Sequence, residues 1–521
     1  MSSGPQLAAP LARPLSATAV KRRAVSARTV LTWVRRVPRA GRVCFLLAFV
    51  NATVWGVVVP PFQVPDEVVH FAYAQYLAEH GKPPPQGSVS PYSPEEEGAL
   101  NGLNFFQEIG RAQVRGVLDR AEDRALRATL ASKPSPVGPG GTSSASNQPP
   151  LYYALEAVPY WLSPWHDILS RLVFMRLLSA LMAAGTVLAV FMFLRELVPG
   201  SPWTWSVGAL AVAFQPTFDF IAAGVNGDNL LYLTSALTAL GLLRAYRHGL
   251  TTRRAAWLGL VTAAGVLSKL TFLGLVPGIA LALLLLAWRA KPQGTARALR
   301  MLALAAVVAA APVLLYGLLN AYVWHRGGGA TGGGVAAATG SSLGNGAVIT
   351  LPESLDYIWE LYLPRLPFMH HIYFEKDPIF TIWVDGLVGH FGWLDYGFPA
   401  WVYRFAKYLV AAFALGALSG LWQVRRRLRD DAPLFACYAV MALGLLGSIG
   451  YAGIRYKLQT GFQFEQARYL FPLLCFYALF IVLVARGAGR RWYKALAAAL
   501  VLLAMAHGLF AETLTISRYY G

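Results

Sequence analysis

Charge is scarce in this chain. Only 14% of its 521 residues are Asp, Glu, Lys or Arg, whereas a soluble domain carries about a quarter, so an ordinary soluble globular fold is excluded. Cysteine is nearly absent. Cys44, Cys437 and Cys475 each sit inside an apolar run, which leaves no disulfide framework and no indication of redox compartment. No repeat of fixed period is present, and no inverted repeat of the kind that builds many transporters. Acidic residues are the rarer sign, 26 against 45 basic ones, for a net charge of +19. In a soluble protein that excess would suggest nucleic acid. Here the basic residues fall between apolar runs, so the reading is membrane anchoring with no nucleic-acid partner.

Apolar residues make up 56% of the chain. A membrane-crossing helix needs roughly 20 of them in succession. The first run is Val43–Pro60, behind a basic arm over 1–42 that is rich in Ala, Pro and Ser and is expected to be disordered. That arm is too long for a signal-peptide n-region, and the run reads as a retained helix with its N-terminus in the cytoplasm. Ten more spans follow, near Leu172–Leu194, Trp203–Ala223, Leu230–Tyr246, Ala255–Leu267, Phe272–Trp288, Met301–Tyr322, Trp401–Gln423, Leu434–Tyr451, Tyr469–Ala485 and Ala495–Phe510. With this threading Arg195, Arg244, Arg289, Arg425, Arg486 and their basic neighbours all fall on the cytoplasmic side. The pair between Ala255 and Trp288 is alternatively one long tilted helix.

The expected fold class is therefore an all-α polytopic bundle of about eleven spans, a membrane domain over 43–513, followed by a short outer tail over 514–521. Two large outer loops, 61–171 and 324–400, carry short helices and most of the polar chemistry. The stretch Gly327–Gly346 reads as a flexible loop.

Where the first run ends lies Pro60-Pro61-Phe62-Gln63-Val64-Pro65-Asp66-Glu67-Val68-Val69-His70-Phe71. Asp66 and His70 stand one helical turn apart if a helix starts near Pro65. A helix cap explains Asp66, but not a second carboxylate and a histidine at the lipid boundary, where charge is costly. The second loop of interest closes on Asn147-Gln148-Pro149-Pro150-Leu151-Tyr152-Tyr153. The prolines suit a helix start and the aromatics a membrane interface, while the two amides are less well explained. Asn226-Gly227-Asp228-Asn229 has ordinary turn chemistry. Lys269 interrupts an apolar stretch and either snorkels to headgroups or meets an anion. Arg468, followed by Tyr469, begins a span at the outer face, where it could face a lipid phosphate or hold a phosphate-bearing substrate. Another outer segment carries His370 and His371 together with acids and aromatics. It suits sugar binding or an interfacial helix, and a His-His pair alone is a weak metal signal.

These motifs together, with Phe391-Gly392-Trp393 and Arg468-Tyr469-Leu470-x-Pro472, resemble a bacterial family of membrane proteins known as domain of unknown function 2142. The resemblance runs from about Val43 to Phe510. That family is in turn similar to GT-C glycosyltransferases, which use polyprenyl-phosphate sugars. It implies an enzyme of the cell membrane, a hexosyl- or pentosyltransferase, with its site on the extracytoplasmic face. Asp66 or Glu67 would be the catalytic base. His70, Asn147, Gln148, Tyr152, Asp228, Lys269, His370, His371, Arg468 and Tyr469 would bind substrate. The partners implied are the lipid-linked donor, a glycan or lipid-linked acceptor and membrane lipids. The cation at the leaving phosphate would be Arg468 or a divalent metal, Mg or Mn, on Asp66 and other carboxylates. The alternatives are a transporter or lipid flippase, and a non-catalytic assembly protein.

Overall fold

In lipid, a backbone must satisfy its own polar groups, and an isolated segment can do so only as a helix. The structure, a computed structural model, describes residues 37–85, 90–114, 119–141, 143–326, 350–369, 372–463 and 465–521. The chain divides into units 1–39 and 40–521. Most of the basic arm, and the Gly-rich loop 327–346, lie outside the described residues.

Among the described residues, eight helices are long and apolar enough to cross a membrane: Arg39–Val58, Ile168–Leu197, Leu270–Ala290, Thr295–Val323, Ala400–Arg426, Ala432–Leu458, Ala467–Gly487 and Gly489–Tyr520. Three further spans expected from the sequence fall on shorter or more polar helices. These are the pair Pro202–Ala213 and Pro216–Ala222, then Asp228–His248, then Thr252–Ser268. The protein is an all-α polytopic bundle, and its only strands among the described residues form a hairpin pairing His390–Phe391 with Tyr396–Gly397.

Side-chain contacts show which helix ends share a side. Arg289 lies over the Tyr246 ring at 4.1 Å, Tyr246 donates to the Asp430 carbonyl at 2.9 Å, and Arg247 pairs with Asp431 at 2.5 Å. This is the basic end. At the opposite end of the helix Asp228–His248, Asp228 meets Lys269. The chain thus reverses at Lys269, and Thr252–Ser268 and Val276–Ala290 are separate passes rather than one tilted helix. A 3-10 turn over Leu270–Leu275 makes the reversal.

Small residues let neighbouring helices approach closely. A Cβ on Gly420 would stand 2.1 Å from the Leu483 carbonyl oxygen, and one on Gly487 would stand 2.1 Å from that of Gly416. Large apolar side chains such as Leu46, Leu314, Leu418 and Leu502 remain exposed along the spans, as lipid-facing surface requires. Phe62, Phe71, Tyr73, Tyr153 and Tyr160 of the segment 61–171 form a core together with Met175, Val225 and Leu230 from later in the chain. The expected C-terminal tail is helical: the last helix continues through 514–520, with Arg518 paired to Asp395 at 3.0 Å.

Candidate functional site

The polypeptide leaving the first helix turns sharply through a proline run. Phe62 and Asp66 both adopt left-handed backbone, φ 65 and 62. For non-glycine residues that conformation is held only where surroundings over-determine it. Arg176 supplies much of the restraint. It donates to the carbonyls of Gly56, Val59 and Pro60 at 2.9, 2.7 and 2.9 Å and to both oxygens of Glu67 at 2.8 and 2.6 Å. Asn226 donates to the Pro65 carbonyl at 3.0 Å, and the Val225 amide donates to Glu67 at 3.0 Å.

Asp66 stands at the start of the helix Glu67–His80, yet its carboxylate makes no capping bond. It accepts instead from Nη2 of Arg468 at 2.6 Å, across the fold. Arg468 comes from the 3-10 segment Ala467–Leu473, and its own carbonyl accepts from the Tyr232 hydroxyl at 3.1 Å. Its Nε lies 4.0 Å from Asp228, and Asp228 meets Lys269 at 2.6 Å. The Asp228 amide donates to Asn226 at 3.0 Å, so the Asn-Gly turn aims this carboxylate inward. Gln148 accepts from the Leu270 amide at 3.2 Å, next to Lys269. His70 is buried with Nδ1 2.8 Å from the Tyr153 hydroxyl.

Two acids and two bases are thus interleaved. Arg468 is only 3% exposed, and its Nη1 and Nε have no hydrogen-bond partner among the described residues. Arg468 lines a cavity of about 200 Å³ whose walls also include Thr217, Phe220, Ile221, Thr381 and Glu465. Burial alone would raise the Asp66 carboxyl, but Arg468, His70 and Lys269 outweigh it and hold it below the usual carboxylate range. Burial, reinforced by Lys269, pushes His70 down to about 4 against the pull of Asp66 and Asp228, so its imidazole is neutral near pH 7. Guanidinium donors without hydrogen-bond partners among the described residues, beside a cavity of mixed polar and apolar lining, suit a phosphate-bearing ligand.

The sequence-derived residues Asp66, His70, Asp228, Lys269, Gln148, Arg468 and Tyr469 converge here, with the Tyr469 ring 5.3 Å from the guanidinium carbon of Arg468. Glu67 is adjacent but turned away and spent on Arg176. Tyr152 is fully buried, its hydroxyl 3.0 Å from Ser179. Asn147 is half-buried in the preceding turn. His370 and His371 lie outside the described residues. Arg176, Tyr153, Asn226 and the wall residues Thr217 and Thr381 were not among the expected site residues. Tyr153 and Asn226 stood inside motifs read as interface and turn chemistry, Arg176 is a charge within a long apolar helix, and Thr217 and Thr381 had no signal.

For a divalent cation the donor set is poor: among the described residues no three His, Cys, Asp or Glu side chains group as metal ligands. Asp66 already faces a guanidinium.

A family model described as "Predicted membrane protein (DUF2142)" matches residues 49–477. No curated protein matches the chain. Among solved structures it is similar to the oligosaccharyltransferase AglB of the archaeon Archaeoglobus fulgidus. The form in complex with an inhibitory peptide and a dolichol-phosphate is 13% identical with a TM-score of 0.45, over 94% of this chain and 57% of that one. The apo form is 11% identical with a TM-score of 0.43 over the same shares. The chain thus spans little more than half the length of that protein.

Proposed function

The chain belongs to the DUF2142 family of predicted membrane proteins, and we propose that it is a GT-C-like membrane glycosyltransferase. It moves a sugar from a polyprenyl-phosphate donor to a cell-envelope acceptor on the outer face. The observation that carries the reading is Arg468: nearly fully buried, with Nη1 and Nε lacking hydrogen-bond partners among the described residues, at a cavity and paired with the partly exposed Asp66 carboxylate.

In this reading the donor phosphate takes the open donors of Arg468, with Lys269 adding positive charge. The acceptor hydroxyl enters from the cavity side. Its oxygen forms a bond to the anomeric carbon as the bond from that carbon to the phosphate oxygen breaks. The electron pair leaves with the polyprenyl phosphate, whose growing charge Arg468 offsets. The hydroxyl proton passes to Asp66. A single displacement inverts the anomeric centre.

The phosphate also competes with Asp66 for Nη2. Once part of the guanidinium's charge is shared, the Asp66 carboxyl rises toward its ordinary range and becomes a better base. Glu67 has no such freedom, because both its oxygens are bonded to Arg176.

The test is transfer from labelled polyprenyl-phosphate sugars by the purified protein in lipid. Asp66→Asn should lower the rate by about 100- to 10,000-fold while leaving the unfolding temperature nearly unchanged. Arg468→Ala should abolish transfer with donor binding. Transfer by Asp66→Asn at the wild-type rate, or lipid movement without any transfer, would overturn the proposal.

A further inference from the structure

Four arginines are buried among the described residues: Arg171, Arg176, Arg326 and Arg468. Three of them have a carboxylate. Arg171 meets Glu95 at 3.0 Å, Arg176 meets Glu67 at 2.6 Å and Arg468 meets Asp66 at 2.6 Å. Arg326 is only 4% exposed and has none. The described residues include all 26 Asp and Glu of the chain, and no carboxylate lies within ion-pair distance of Arg326.

Its company is neutral. Nη2 donates to the Ser146 carbonyl, Nη1 reaches the Asn320 side-chain oxygen at 3.4 Å, and Nε has no hydrogen-bond partner. The Tyr73 and Tyr316 hydroxyls stand beside it. Tyr73 donates to the Gln148 carbonyl at 3.2 Å, and burial pushes its phenol up, so it brings no negative charge near pH 7. The carbonyl end of the helix Thr295–Val323 offsets part of the charge, but a buried charge without a counterion is costly. That helix is lipid-facing, with Leu318, Tyr322 and Val323 exposed near its end. Ser146 lies two residues before Gln148, whose side chain accepts from the Leu270 amide. Arg326 therefore belongs to the Lys269 end of the bundle, where a span leaves the hydrocarbon and lipid headgroups begin.

We propose that Arg326 is a second anion site, separate from Arg468, and that its ligand is a phosphate group. A phosphate supplies the missing negative charge and an acceptor for the unspent Nε, in a geometry that a guanidinium matches. The group comes from a lipid headgroup or from phosphate in solution. The inference does not depend on the transferase reading.

The full chain in neutral detergent is melted with added phosphatidylglycerol, with diacylglycerol of the same acyl chains, or with inorganic phosphate. A phosphate-bearing probe should raise the midpoint by roughly 4 °C, and diacylglycerol should not. A rise with phosphatidylglycerol alone identifies a headgroup as the source, and a rise with inorganic phosphate identifies a free anion. Arg468→Ala should keep the rise and Arg326→Gln should lose it. Hydrogen exchange on the wild-type protein reads the same site whether or not the variants fold: the probe should slow exchange around Ser146 and Asn320, the two residues Arg326 holds. No rise with either phosphate probe, an equal rise with diacylglycerol, a rise that survives Arg326→Gln, or protection confined to 467–473 would overturn the proposal.

Discussion

Asp66 and Glu67 are neighbours in the chain, and each meets an arginine at 2.6 Å. Glu67 is fully buried, with both oxygens bonded to Arg176 and one also to the Val225 amide. Asp66 keeps 31% of its side chain exposed, on left-handed backbone. Arg176 spends its nitrogens on Glu67 and three carbonyls, whereas Arg468 has two nitrogens without a hydrogen-bond partner among the described residues. The first pair is a closed clamp that holds the exit turn. The second is an open pair, with donor capacity left over on Arg468 among the described residues. Satisfaction of every donor, more than burial, separates structural charge from available charge.

The largest effect that would sharpen this contrast is on stability. Removing one partner of a closed buried pair strands the other, so Glu67→Gln or Arg176→Met should cost about 3–5 kcal/mol of unfolding free energy. The double variant should cost less than the sum of the singles. Denaturant titration in mixed micelles measures this, and the contrast breaks if Asp66→Asn costs as much as Glu67→Gln.

The next effect is on pH dependence. His70 faces Lys269, Asp66, Asp228 and Arg468, and its folded value of about 4 lies below the ordinary 6.5. Between these values the unfolded chain binds more protons than the folded one, so stability is present above about pH 6.5 and declines as pH falls toward 4. Thermal unfolding across that window should show the decline, and His70→Gln should flatten it. An unchanged slope in the variant would mean that other groups carry it.

The smallest effect tests the open pair from its far side. Lys269→Met frees Asp228, now 4.0 Å from Arg468, to compete with a donor phosphate. The donor KM should rise by about 10-fold, or ~1.4 kcal/mol, with kcat little changed. A fall in kcat at constant KM would place Lys269 in the chemical step instead.

Much of this was legible in the sequence because lipid imposes length and polarity on every span. The helical runs follow from that, although three of them fall on shorter or more polar helices, while whether 255–288 is one pass or two was open until the Asp228–Lys269 contact placed the reversal. The first helix starts at Arg39 rather than Val43 because a basic first turn is tolerated at a helix end that need not enter lipid. The site was legible as unusual charge at a proline-rich exit, at Lys269 and at Arg468. The cap explanation for Asp66 was equally consistent with the residues, and only its missing capping bond removes it. Tyr152 and Tyr153 look equivalent in sequence, yet one turns to Ser179 and the other to His70.

The sequence by itself determined that this chain is a membrane helical bundle, because hydrophobic length is a local property. Only the tertiary structure decided which charges meet. Asp66 and Arg468 are 402 positions apart, and Glu67 and Arg176 are 109 apart. No local pattern encodes which arginine a carboxylate will reach. Helix packing sets that choice, and with it the division between a clamp and an open site.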